Sequence, residues 1–329
     1  MPRFLVALFA LLLLPIPALA ACTGTNLLAN PDADTKVWLQ TALAEQPHAT
    51  GNFWRATRGN DVIHIIGTYH LDDPRHQATM DTLEPIIATA TTLLVEAGPD
   101  EESALKSAIA KTPDLLFITS GPSLMEQMTK DEWATVATAM KARGIPPFMA
   151  AKFQPWYLSM MLGIPPCAMA QMTAQNGLDH RIIDLATDLA IPVQALEPFD
   201  TVFTIFNSMT PDEQLGMIRS TLPLEGRISD FTVTMADSYF AEDSRRPWEY
   251  MRLITGSAPG YTPARADAEF AAMENALMIR RNQSWIPVLE ATAARGPTFA
   301  AFGALHLSGQ NGVLALLERA GFTVERLPL

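Results

Sequence analysis

The sequence has 329 residues, of which 48% are hydrophobic and 18% are charged. These values are typical of a globular chain that is long enough to bury a sizeable core. The formal net charge is -12, and a chain this acidic repels phosphate groups. Its bulk charge therefore excludes electrostatic attraction to nucleic acid or to an anionic membrane.

Residues 1–20 are expected to form a secretory signal peptide. Arg3 is followed by an apolar run from Phe4 to Pro15 and by Ala18-Leu19-Ala20, a small-x-small cleavage pattern. The apolar run is too short for a transmembrane helix, and no later stretch is long enough to span a bilayer. We therefore expect an exported protein, periplasmic or secreted, with residues 21–329 as its single mature domain.

The sequence contains two cysteines, Cys22 and Cys167. An even count in an exported protein predicts a disulfide, which would tie the mature N-terminus to the middle of the chain. Leu19-Ala20-Ala21-Cys22 also resembles a bacterial lipobox, in which the cysteine carries a lipid anchor. That alternative would give an outer-membrane lipoprotein with an unpaired Cys167, and the sequence leaves both interpretations open.

The first part of the chain alternates strand and helix patterns. After a helix predicted over 31–46, strands at 51–56 and 62–67 flank a turn and are expected to form a hairpin. Asp72-Asp73-Pro74 predicts the start of a helix, because an acidic cap precedes a proline in the first turn. The next strand, at 92–97, completes a βαβ unit, so we expect it to pair in parallel with the strand at 62–67.

The remaining strand signals are short and lie between long helical stretches. They are at 192–197, at 298–303 and at 322–326, with helices predicted over 179–189 and 313–319. Two helical insertions are predicted, at about 101–175 and 207–290. The sequence therefore predicts an α/β fold, a single domain with a central mixed, mostly parallel sheet and two large helical insertions.

Two similar segments each follow a buried strand. Ile66-Gly67-Thr68-Tyr69-His70 and Phe302-Gly303-Ala304-Leu305-His306 share the pattern Gly-x-x-His followed by Leu. Glycine would let the chain turn sharply where the strand ends. Ligands bind at the carboxyl ends of strands in open α/β sheets, so adjacent strands would bring both imidazoles to one crevice.

Two carboxylates end apolar strands in the same manner. Glu96 follows Leu94-Val95, and Glu197 follows Ala195-Leu196. Two histidines and one carboxylate suit a divalent transition metal. The signatures of serine hydrolases, His-Glu-x-x-His metalloproteases, P-loop proteins and dinucleotide-binding proteins do not occur.

The ordered set of motifs resembles the TraB/GumN family, which is related to the TIKI proteases and more distantly to erythromycin-esterase and haem-binding ChaN-like proteins. The resemblance spans nearly the whole mature chain. It rests on Ile66-Gly67-Thr68-Tyr69-His70, Leu94-Val95-Glu96, Lys152-Phe153-Gln154-Pro155-Trp156, Gly177-Leu178-Asp179, Ala195-Leu196-Glu197, Arg281-Asn282 and Gly303-Ala304-Leu305-His306.

The resemblance implies an α/β fold and a hydrolase that depends on a metal of the Mn or Co type, and Zn is a further candidate for the same ligands. It implies metal binding by His70 and His306, with Glu96 as third ligand or general base. It further implies that Arg281 stabilises an oxyanion or anchors an acidic substrate group, and that Asp179, Glu197 and Asn282 support these residues. Many relatives have Ile or Val where Tyr69 stands, so Tyr69 either donates a hydrogen bond in the site or packs.

Two functions from different classes follow, and a structural or partner-binding envelope protein with a degenerate site is a third alternative. The first is a cell-envelope hydrolase of peptidase or esterase type, in which a metal-activated water attacks a carbonyl of a peptide or small-molecule substrate. The second is an envelope protein that binds haem or another small apolar ligand between the histidines and the Met-rich helices, without catalysis.

Overall fold

The chain builds a six-stranded mixed sheet. A computed structural model describes residues 22–170, 175–258 and 260–329, so the signal peptide predicted for residues 1–20 lies outside the described residues. The strands are β1 Phe53–Arg58, β2 Asp61–Thr68, β3 Thr92–Val95, β4 Val193–Ala195, β5 Thr298–Gly303 and β6 Thr323–Arg326. Their order in the sheet is β4-β3-β5-β2-β1-β6.

Strand directions confirm the predicted sheet. β4, β3, β5 and β2 are mutually parallel, whereas β1 runs antiparallel to both β2 and β6. The hairpin predicted at the start of the chain is the pair β1–β2. The adjacency predicted for the two Gly-x-x-His strands is also confirmed, because β2 pairs directly with β5.

One predicted pairing is wrong. β2 and β3 are parallel, as the βαβ pattern predicts, but β5 lies between them and pairs with both. Every residue of β5 is buried, which fits a central strand better than an edge strand. The strand that carries the second histidine motif therefore enters the sheet between the strands that lead to His70 and to Glu96.

The described helices surround this sheet. They are α1 Ala33–Ala44, α2 His76–Ile87, α3 Pro99–Lys111, α4 Leu124–Gln127, α5 Lys130–Ala142, α6 Pro147–Ala150, α7 Pro155–Leu162, α8 Leu178–Asp188, α9 Thr201–Asn207, α10 Pro211–Thr221, α11 Ile228–Phe240, α12 Arg245–Gly256, α13 Pro263–Glu274, α14 Arg280–Ala293 and α15 Val313–Arg319. A π-helical segment, Asn275–Ile279, joins α13 to α14.

Helices cover both faces of the sheet. Successive side chains of a strand point to opposite faces, and in β5 Ala300 and Phe302 pack with α14 and α15 while Phe299 and Ala301 pack with α2 and α8. Apolar burial on both faces explains why the sequences of the central strands β3 and β5 lack charged residues. The helices α4 to α7 build a separate core with α10.

The start of α2 differs from the prediction. The helix begins at His76, because Asp73 Oδ1 accepts hydrogen bonds from the backbone N and Nε of Arg75, at 2.9 Å each, and holds a turn there. Asp72-Asp73-Pro74 therefore precedes the helix instead of forming its first turn.

Cys22 and Cys167 form a disulfide with a Cα–Cα distance of 5.3 Å. The sulfur of Cys22 is thus engaged, so the disulfide and not the lipidated alternative describes this structure. Among the described residues, no helix combines the length and the apolarity needed to cross a membrane.

Candidate functional site

The carboxyl ends of four neighbouring strands bring the predicted residues together. Glu197 follows β4, Glu96 follows β3, His306 follows β5 and His70 follows β2, in the order of the strands across the sheet. Asp179 comes from the first turn of α8, and Arg281 and Asn282 from the first turn of α14. This convergence fits the rule that ligands of open α/β sheets bind at the carboxyl edge.

His70 forms the more exposed side of the site, and its side chain is 61% exposed. Its Nδ1 lies 3.0 Å from Asp179 Oδ1. The charge of Asp179 is the main reason that the pKa of His70 rises to about 9, against the opposing effect of desolvation. At neutral pH the ring is therefore an imidazolium that donates Nδ1–H to Asp179. We call His70 with Asp179 the His70 half of the site.

His306 has the opposite character. Its side chain is 7% exposed, and Nδ1 lies 2.6 Å from Asn282 Oδ1. Asn282 Nδ2 donates to the carbonyl of Asn311, so its oxygen must accept the proton on His306 Nδ1. Burial is the main reason that the pKa of His306 falls to about 4. The neutral ring keeps its Nε2 lone pair.

Arg281 links the carboxylates to His306. Its Nη2 donates to Glu96 Oε2 at 2.5 Å and to Glu197 Oε1 at 2.7 Å, and its Nη1 donates to His306 Nε2 at 3.2 Å. Burial alone would raise the pKa of Glu96, but attraction to His306, Arg281 and His70 lowers it to about 2. We call His306 with Asn282 and Arg281 the His306 half of the site.

Gly303 makes room for the convergence of the two halves. A Cβ atom on Gly303 would lie 3.3 Å from both Glu96 Oε1 and His70 Nε2, and the backbone N–H of Gly303 donates to Glu96 Oε1 at 2.6 Å. The φ of Gly303 is -50°, and Gly67 lies inside β2. The chain does turn at the end of β5, where a 3-10 helix begins at Ala304, but the turn does not need the backbone freedom of glycine. Glycine is favoured at position 303 by the close approach of Glu96 and His70.

Tyr69 lies apart from this cluster. Its ring stacks on Tyr239, with centroids 5.6 Å apart, and contacts His76. Burial raises the pKa of its phenol above the ordinary value. Of the two roles that the sequence left open for Tyr69, the structure favours packing over a hydrogen bond within the site.

Sequence reasoning missed Trp285, which is fully buried. Its Nε1 donates to Glu197 Oε2 at 3.0 Å, and its ring lies 4.5 Å from the His306 ring and 5.0 Å from the Arg281 guanidinium carbon. Its position one helical turn after Arg281 was the available signal. The π-helical segment before α14 was also missed, and its Leu277 carbonyl accepts Arg281 Nη1 at 3.0 Å. Such segments are frequent at functional sites.

The donor types fit a divalent metal, but the described arrangement is not a preformed cage. His70 and His306 are each held through Nδ1 and leave Nε2 toward the site, as metal-binding histidines do. However, across residues 22–170, 175–258 and 260–329, no group of three or more His, Cys, Asp or Glu side chains has a metal-binding arrangement. Arg281 donates to both His306 and Glu96, so ion binding requires it to shift.

Comparison with known proteins places these motifs in a family. The family model for TraB/PrgY/gumN proteins matches residues 52–326. YbaP of Escherichia coli K12 and YbaP of Shigella flexneri are each 22% identical to the chain over 261 residues, which cover 79% of this chain and 89% of the relative. The match contains every strand and all the site residues described above, and the chain belongs to the TraB/PrgY/gumN family.

Proposed function

We propose that the site is a hydrolytic centre that holds a divalent transition metal between His70, His306 and Glu96 and cleaves a peptide or ester carbonyl. The observation that carries this proposal is the anchoring of both imidazoles through Nδ1, by Asp179 at 3.0 Å and by Asn282 at 2.6 Å. This anchoring keeps both Nε2 atoms on the side of Glu96 Oε1, where they could bind an ion once Arg281 has left His306 and His70 has released its Nε2 proton. Outer partners of this kind fix the ring orientation that a metal ligand needs.

The negative charge of the site also supports the binding of a cation. The site contains the three carboxylates of Glu96, Asp179 and Glu197 and the one guanidinium of Arg281, which pairs with Glu96 and Glu197, whereas Asp179 pairs with His70. With neutral histidines this set carries two excess negative charges, which a divalent ion would balance. Arg281 Nη1 would have to leave His306 Nε2, while its bonds to Glu197 would keep its charge in the site.

Each residue then has a distinct role. A bound divalent ion would polarise a carbonyl and lower the pKa of a water molecule. Glu96, with its pKa lowered to about 2, is ionised at neutral pH, so it can bind the ion or accept a proton only from a strongly acidified water. Arg281 keeps a fixed positive charge beside the position of an oxyanion. His70 must release its Nε2 proton before it can act as a ligand.

We further propose that the protein works in the cell envelope. The Cys22–Cys167 disulfide supports this location, because structural disulfides persist mainly in oxidising compartments. The expected signal sequence provides the route of export.

Metal content measured by mass spectrometry tests the proposal. Wild-type protein supplied with Mn, Co or Zn should retain about one ion per chain, and the His70→Ala/His306→Ala double variant should retain none. His48→Gln changes a histidine that pairs with Glu318, outside the site, and should bind metal like the wild type.

A wild-type protein that retains no metal under these conditions would overturn the metal proposal. Haem titration would then test the ligand-binding alternative. A Soret band that weakens in both His70→Ala and His306→Ala would support haem binding by these two side chains.

A further inference from the structure

We infer that the N-terminal strap, defined as residues 22–28, braces the loop that carries His70 through helix α11. Opening the Cys22–Cys167 disulfide would then loosen the His70 half of the site and leave the His306 half unchanged. This inference goes beyond the proposed hydrolysis, because the order of the loop can be measured whether or not the site binds metal.

The strap lies along one face of α11. The backbone N–H of Thr25 donates to Asp230 Oδ1 at 2.7 Å, that of Leu27 donates to Thr234 Oγ1 at 2.8 Å, and Asn26 Nδ2 donates to Asp237 Oδ2 at 3.0 Å. The three acceptors are spaced four and three residues apart, which places them on the same side of the helix. The strap therefore follows the helix over about two turns.

The disulfide fixes Cys22, the first residue of the strap, to an element other than α11. Cys167 lies in the 3-10 turn Pro166–Ala168 of the first helical insertion, whereas α11 belongs to the second. Without the bond, the strap would be held to α11 mainly by hydrogen bonds that are exposed or partly buried. Such contacts open readily in native proteins.

The other end of α11 contacts residues on both sides of His70, from the end of β2 to the start of α2. We call residues 67–76 the His70 loop. Tyr239 OH donates to the carbonyl of Gly67 at 2.9 Å, and its ring stacks on Tyr69. Arg75 Nη1 donates to Asp237 Oδ1 at 2.9 Å. Asp237 thus binds the strap with one oxygen and the loop with the other, which connects the two physically.

The His306 half has no comparable link. The described hydrogen bonds of His306, Asn282 and Arg281 involve neither the strap nor α11. The His70 loop also has a second support, because Leu178 N–H from α8 donates to the carbonyl of Tyr69 at 3.1 Å. Opening the disulfide should therefore loosen the loop without releasing it.

The chemical step is reduction by a dithiol. The sulfur–sulfur bond accepts two electrons and two protons and becomes the thiols of Cys22 and Cys167, while the reductant is oxidised to its own disulfide. No other covalent change is required.

Hydrogen–deuterium exchange of the full mature chain, with and without dithiothreitol, tests the inference. Reduction should speed exchange in peptides covering residues 22–28, 228–240 and 67–76 by about fivefold, the effect of losing one typical hydrogen bond. Peptides covering 280–293 and 298–306 should not change. The Cys22→Ser/Cys167→Ser variant should reproduce this pattern without reductant.

Two variants with an intact disulfide keep the inference testable if reduction unfolds the whole chain. Asn26→Ala should speed exchange in both 228–240 and 67–76, whereas Tyr239→Phe should speed it in 67–76 and leave 22–28 unchanged. If faster exchange in these variants stays within the mutated segment, or affects both halves of the site equally, the brace does not exist. If the reduced chain stays folded and only residues 22–28 and 165–168 exchange faster, that result would also show that the brace does not exist.

Discussion

The two Gly-x-x-His segments are nearly equivalent in sequence and opposite in chemistry. His70 donates Nδ1–H to a carboxylate and has a pKa raised to about 9, whereas His306 donates Nδ1–H to a neutral amide in a buried position and has a pKa lowered to about 4. One ring is an imidazolium and the other a neutral base, although their Nε2 atoms face the same site. The protonation state is thus set by the partner and by burial, not by the motif.

The different protonation states of His70 and His306 give the two halves of the site different requirements for binding an ion. A neutral, buried His306 is ready to use its Nε2 lone pair once Arg281 moves away. Under the proposed function, the exposed His70 would first release its Nε2 proton to bind the ion. Metal binding should therefore release a proton from the His70 half.

Changing the Nδ1 partners of the two histidines, Asp179 and Asn282, should produce the largest effect, which is a shift of the histidine pKa values. Asp179→Asn should lower the pKa of His70 from about 9 toward the ordinary value of about 6.5, because it removes the charge that raises it. Asn282→Asp should raise the pKa of His306. NMR titration of labelled histidines in metal-free protein measures both, and unchanged values would show that the Nδ1 partner does not cause the asymmetry.

The pH dependence of stability should carry opposite signs for the two halves. The raised pKa of His70 contributes stability that is present below about pH 6.5 and is lost as the pH rises through about 9. The lowered pKa of His306 contributes stability above about pH 6.5 that is lost as the pH falls toward about 4.

Urea unfolding of metal-free protein between pH 4.5 and 9 checks these signs. His306→Gln should reduce the acidic slope by at most about 1.4 kcal/mol per pH unit, the contribution of one proton, and should leave the alkaline slope unchanged. Half-buried His64 and buried His76, whose pKa values are lowered mainly by desolvation, contribute to the acidic slope in both proteins. A variant that altered both slopes equally would contradict the separation of the halves.

Trp285→Phe should have a smaller effect that is confined to the His306 half. The change keeps an aromatic ring against His306 and removes the N–H that donates to Glu197, so it should cost about 1–2 kcal/mol of stability. Thermal unfolding measures the cost, and the pKa of His70 serves as the internal control. A large shift of that pKa would show that Trp285 supports the whole site.

The sequence was sufficient to predict the sheet and most of the site. Buried strands that end in His70, Glu96, Glu197 and His306 identify the carboxyl edge, because that edge is common to all parallel strands. The position of β5 between β2 and β3 was missed, since local patterns favour pairing of consecutive strands. Sheet order depends on contacts between segments that lie far apart in the chain.

The protonation states could not be predicted from the motifs. Asp179 and Asn282 reach the two histidines from helices at distant positions in the chain, and their carboxylate or amide character becomes meaningful only once those contacts are known. Trp285 was missed for a related reason, because a tryptophan on a helix is usually interpreted as core. Two of its three contacts with the site, those with Glu197 and His306, are tertiary.

The central position of β5 has a consequence for folding. β2 and β3 belong to the first third of the chain, but the strand that joins them is Thr298–Gly303. During synthesis, the facing edges of β2 and β3 therefore remain unpaired until nearly the whole chain is available, and unpaired edges favour aggregation. Such non-local pairing slows folding. A chaperone that shields these two edges would assist the folding of this chain more than one that stabilises its helices.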